Sequence, residues 1–106
     1  MITYDDFKKI ELKIGKILAA EKVAGADRLL KLEVDLGTEK RQLVAGIGEV
    51  YEASQLIGKQ VPVLVNLEPR KLRGVESQGM MLAVDANGKP IIMNPDREVP
   101  PGSVIK

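Results

Sequence analysis

The chain has no cysteine, no histidine and no tryptophan, and its aromatic residues are Tyr4, Phe7 and Tyr51 alone. Without cysteine there is no disulfide, no thiolate nucleophile and no sulfur-ligated metal. Without histidine, Ser-His and Cys-His catalysis, histidine-bound zinc and imidazole proton shuttling are excluded. A catalytic reading has only carboxylates, lysines and tyrosines to draw on. So few aromatics cannot build a platform on which several bases stack. No apolar run approaches the roughly 18 residues of a membrane span, and the N-terminus has no basic-then-apolar signal. The expectation is a cytoplasmic protein away from the membrane, with no cofactor and no metal.

What is present fits one domain, residues 1–106, with a single modest core. An apolar share of 44% and mixed charges belong to a folded globule rather than a disordered segment. The net charge is only +1, but it is unevenly spread. Residues 8–31 hold seven cations, Arg28 among them, against Glu11, Glu21 and Asp27, a local balance of +4; residues 32–65 balance at −2. A near-neutral chain can therefore still carry one positive face.

Hydrophobic periodicity places the elements. Thr3 and Asp6 form a capping-box start for a short helix over 4–9. Ile10, Leu12 and Ile14 alternate with charged residues, and Gly15 predicts a bulge where this strand bends before resuming to Val23. A turn at 24–27 leads to a second strand through Leu30, Leu32, Val34 and Leu36, ending at Gly37. Residues 43–45 make a short third strand, and 49–56 a short helix or helical turn. The fourth strand holds Val61, Val63 and Val65, with Pro62 placing it at an edge or a bulge. A fifth spans 80–84; Asn87-Gly88 closes a hairpin back to 91–93, and the proline-rich tail is mostly irregular.

Five or six short strands with Gly-rich turns predict an all-β fold. A five-stranded OB-fold barrel fits best, with a short N-terminal helix, a short helical connection and a C-terminal extension. The pattern alone also admits another small barrel or a sandwich.

Most candidate chemistry falls away. Gly46-Ile47-Gly48 lacks the third glycine of a dinucleotide fingerprint and the parallel β-α-β unit around it. Ser77 lacks the preceding glycine of a nucleophile elbow. No spacing of carboxylates suits a divalent metal. The run from Asn66 to Met80 stands out instead. Arg70 and Arg73 can each pair with phosphate in a bidentate way, and Lys71 adds a point charge. Gly74 and Gly79 let backbone approach a ligand, while Asn66, Ser77 and Gln78 supply neutral donors and acceptors for phosphate, ribose and base edges. The alternative is a solvated loop between strands four and five, with Met80 in the core.

Asn66 to Met80, continuing into Met81-Leu82-Ala83, resembles the signature of the tRNA-binding domains of the endothelial monocyte-activating polypeptide II type. That family includes the C-terminal domain of many bacterial methionyl-tRNA synthetases and free-standing structure-specific tRNA-binding proteins. Residues 6–17, 26–37, 44–47 and the Pro95-Asp96-Arg97 and Pro101-Gly102 endings match as well, so the resemblance covers nearly the whole chain. It implies a non-catalytic OB-fold that binds the outer corner of tRNA by shape. It implies a homodimer paired through segments outside the basic loop, with a synthetase catalytic domain as a possible partner in cis or trans. By similarity, Ser77 and Met80 stand at tRNA-contact positions, with Asn66, Arg70, Lys71, Arg73 and Gln78 beside them. Arg28 takes a place where the family commonly has lysine. Both a free-standing factor aiding aminoacylation and an excised synthetase domain stay open, the second favoured by the synthetase-like ends. The rival reading is an OB-fold chaperone, protein-interaction or synthetase-dimerisation module.

Overall fold

A computed structural model describes every residue from Met1 to Lys106. In chain order the elements are α1 (Tyr4–Lys8), β1 (Leu12–Val23), β2 (Ala26–Asp35), β3 (Lys40–Ala45), α2 (Ala53–Leu56), β4 (Gln60–Leu64), β5 (Arg70–Leu72), β6 (Val75–Ser77), β7 (Met80–Met81), β8 (Ala83–Ala86), β9 (Lys89–Ile92) and β10 (Val104–Ile105). Every strand pairing is antiparallel. No helix is long and apolar enough to cross a membrane.

The all-β expectation holds, and the capping box is in place: Asp6 N donates to Thr3 Oγ1 and Thr3 N to Asp6 Oδ2, each at 3.2 Å. β1 is the spine. On one edge it pairs with β10 at Leu12 and Lys13 and then with β2 from Lys16 onward; on the other edge it pairs with β4. The ladder order is β3-β2-β1-β4-β7, with two separate hairpins, β5-β6 and β8-β9. The core follows the two-residue period of the strands. Leu30, Leu32 and Val34 from β2 meet Ile17, Leu43, Leu56, Val61 and Val63, all without exposed surface. Truncating one of these, Leu32 for example, leaves a cavity and costs about 2–5 kcal/mol.

Several expectations are corrected. The register of β1 against β2 shifts at Leu18, between Ile17 and Ala19, and again between Lys22 and Val23, and not at Gly15, which pairs regularly with Val61. Gly15 instead lies against the core, where a Cβ would make tight contacts of 3.2 Å with Leu36 and 3.3 Å with Val63. The third strand is longer than expected, and the helix after it is only four residues. β4 is paired on both sides. Pro62 is tolerated because its carbonyl, accepting from Leu82 N at 3.0 Å, faces the β7 side, where the ladder covers only Val63 and Leu64. The fifth strand breaks at Leu82 into β7 and β8, which belong to different sheets. The tail is mostly irregular, as expected, yet it is held in place. It contributes β10, and Gln60 pins it by donating to Val99 O (2.6 Å) and accepting from Val99 N (2.9 Å).

The sheets are also not closed into a barrel by a continuous ladder. β3 and β7 end the path unpaired with each other. The seam between them is bridged by the segment around residue 78, where the candidate site lies.

Candidate nucleic-acid interface

The run expected as a loop, 66–80, is a short β-hairpin arm. Arg70 pairs with Ser77, Lys71 with Glu76 and Leu72 with Val75. Its turn is Arg73-Gly74, with φ of +53° and +81°. The chain builds the same turn once more at Asn87-Gly88, with φ of +55° and +85°. After glycine, Asn occupies this left-handed position at least strain; a long side chain there is disfavoured. Arg73 therefore stands at a strained position on the tip of the arm.

The arm is fixed at its base and along one face. Leu72 and Val75 pack on a small second core of Val23, Ala26 and Val44, joined by Leu29. Across the seam, Gln78 N donates to Gln42 O (2.8 Å), Gln42 N to Gln78 Oε1 (3.1 Å) and Gln42 Nε2 to Glu76 O (2.8 Å). Arg41 reaches under the arm, with Nη1 donating to Val65 O and to Gln78 O, while its Nε is held by Glu39 at 2.5 Å. That guanidinium hydrogen bond holds the Glu39 carboxyl below the ordinary glutamate range, helped by the charges of Arg41 and Lys13.

The expected site residues divide into three groups. Arg70, Lys71, Arg73 and Met80 are exposed on or beside the arm. None of the three cations lies within ion-pair distance of a carboxylate. Met80 is not in the core; its neighbour Met81 takes that place. The polar residues are spent on the fold. Ser77 is 3% exposed, and its hydroxyl accepts from Val44 N (3.0 Å) and donates to Gly79 O (2.9 Å). Asn66 accepts from Glu11 N (2.9 Å) and donates to Lys9 O (2.7 Å), tying the arm's root to the start of β1. Gln78 stays exposed at the seam, with both ends of its amide engaged. Arg28 lines a different cavity, with Gly46, Glu49 and Lys89.

Gln42 and Arg41 escaped the sequence reading. Their role depends on partners 24 to 37 residues away, which no local pattern carries. They also line a cleft of about 370 Å³ on the outer face of β1–β3, floored by Ala19 and Ala20 and edged by Lys31 and Lys40. Glu21 and Glu33 share that cleft, and Glu21 pairs with Lys31 at 2.6 Å.

A family described as a putative tRNA binding domain matches residues 12–104. A methionine-tRNA ligase from Methanothrix thermoacetophila is 51% identical over the whole chain, and one from Thermotoga maritima is 50% identical over 98% of it. The chain spans only 16% of the length of each. Among solved structures, a MetRS related protein from Pyrococcus horikoshii superposes with a TM-score of 0.95 at 37% identity, covering 100% of this chain and 98% of its own. The chaperone CsaA from Bacillus anthracis superposes at 0.91 with 30% identity, covering 100% and 99%.

Proposed function

We propose, from the premise that this chain belongs to the putative tRNA-binding domain family, that it is a non-catalytic module that captures tRNA by charge and shape. Its context would be the C-terminal appendage of a methionyl-tRNA synthetase or a free-standing binding factor. The observation that carries this reading is the arm: three cations without carboxylate partners, one of them held at a turn position that would favour Asn. Arg70, Lys71 and Arg73 neutralise phosphates and release counterions. Met80, exposed beside them, lies against a base or sugar. Ser77, Gln78 and Asn66 act mainly by fixing the arm, and Arg28 contacts RNA from a separate position. Shape recognition needs such a rigid mount, because phosphate contacts alone carry no selectivity.

The relevant assembly in this reading is a cytoplasmic homodimer. Ile2, Tyr4, Phe7, Ile10 and Val104 are exposed apolar residues, and Tyr4, Phe7, Ile10 and Val104 line one shallow cavity between α1 and β10. Attached to a synthetase, the module raises local tRNA concentration and leaves the chemical step to the catalytic domain.

Equilibrium binding to bulk tRNA and to a duplex RNA of matched length, across a salt series, tests the proposal. Tighter binding to tRNA at every salt is expected. With about four phosphates engaged, log affinity falls with log salt at a slope of roughly −3 to −4. Equal binding to both RNAs would reduce the arm to a generic basic surface. Negligible binding to either would favour the chaperone reading, which the likeness to CsaA supports.

A further inference from the structure

The arm does not account for Arg28. This residue faces a cavity of about 380 Å³ between the start of β2, the loop after β3 and the β8–β9 turn, lined by Arg28, Gly46, Glu49, Gly88, Lys89 and Pro90. We propose that this cavity is a second RNA-backbone site, separate from the arm, which takes one phosphate together with its ribose. The proposal rests on the tRNA-binding reading above.

The walls are fixed. Gly48 N donates to Arg28 O at 2.9 Å. A Cβ at residue 48 would lie 2.4 Å from Asp27 O, so only glycine lets this loop lie flat on β2. Gly46 adjoins the Arg28 guanidinium, and a Cβ there would lie 4.0 Å from Nη2, an ordinary contact. The opposite wall is the Asn87-Gly88 turn, and its hairpin is tied to the body where Ile92 N donates to the Tyr51 hydroxyl at 3.1 Å.

Neither Arg28 nor Lys89 has an ion-pair partner for its side-chain charge. Two free cations facing one cavity suit a phosphate, with Arg28 able to offer a bidentate fork. Glu49 explains why the ligand is a nucleotide unit and not a bare anion. Its carboxylate repels free phosphate but accepts from a ribose 2′-hydroxyl, the group that distinguishes RNA from DNA.

The test is tRNA binding across a salt series for the unaltered chain, Lys89→Ala, Arg73→Asn and, as control, the exposed Lys59→Ala, with a parallel titration of inorganic phosphate followed at the Gly46 and Gly88 amides. Lys89→Ala is expected to weaken tRNA binding roughly two- to fivefold, the range of a partly screened charge contact, and to make the salt slope shallower by about one. Lys59→Ala should change neither, and phosphate alone should not saturate the site. If Arg73→Asn weakens binding while Lys89→Ala changes neither affinity nor slope, this inference falls and the tRNA reading stands. If the unaltered chain binds no tRNA, both fall. Saturation by phosphate with tRNA affinity unaffected by Lys89→Ala would make the cavity a small-anion site and overturn the proposal. Single-stranded RNA should compete better than DNA of the same sequence, and Glu49→Ala should erase that difference; a difference that persists overturns the ribose assignment.

Discussion

Arg73 combines two properties that are separable by substitution. It carries the outermost charge of the arm, and it holds a left-handed backbone conformation that the chain assigns to Asn at its other two-residue turn. Arg73→Asn is therefore expected to raise stability by up to about 1 kcal/mol, through relief of the turn. The same change should weaken binding to all tRNAs alike and flatten the salt slope by about one. Urea unfolding and a binding series on the same preparation read both effects. A variant that is less stable would mean that Arg73 is held there by contacts within the fold. Gly79 represents the opposite case: at φ +138°, with a Cβ that would lie 2.8 Å from Leu64 O, it serves the close approach of β7 to β4 and not the ligand.

At the scale of elements, the arm is only as precise as its seam with β3. Ser77 is the buried member of that seam. Ser77→Ala leaves the Val44 N–H without its partner in a buried place, at a cost of about 1–3 kcal/mol. Because no phosphate contact is removed, tRNA affinity should fall with the salt slope unchanged; a flatter slope would return Ser77 to the surface that touches RNA. The Glu39–Arg41 clamp sets a pH dependence. Glu39 titrates below its ordinary value in the folded chain, so it contributes stability at neutral pH that is lost as pH falls through and below the glutamate range. Glu39→Gln should remove this part of the acid limb, seen as a smaller drop in the urea midpoint between about pH 5 and pH 3. An identical acid limb in the variant would show that the clamp adds nothing to stability.

For the whole molecule, the charged arm and the apolar α1–β10 surface share no residue, so assembly can be perturbed without removing a charge of the arm. Phe7→Glu places a charge in the apolar cavity and is expected to convert a dimer to a monomer in sedimentation experiments. If two arms engage one tRNA, affinity falls with it while the fold is retained, because α1 buries no residue in the core. A variant that remains dimeric would move the interface elsewhere.

The sequence by itself determined the all-β class, the capping box of α1, the alternating core of β2 and β4, the Asn-Gly hairpin and the exposure of Arg70, Lys71 and Arg73. These are local properties: they follow from a two-residue period, a turn dipeptide or a charge with no apolar neighbour to cover it. The tertiary structure alone decided that Ser77 and Asn66 are fasteners, that Arg41 and Gln42 carry the arm, that Arg28 belongs with Lys89 and that the sheets stay open at the β3–β7 seam. Each of these depends on a partner tens of residues away, such as Val44 for Ser77 and Glu11 for Asn66. A hydroxyl or amide has the same chemistry in the sequence whether it meets RNA or a buried N–H. Only the packing of distant strands decides which donor reaches it first, since a buried backbone group without a partner is too unfavourable to leave.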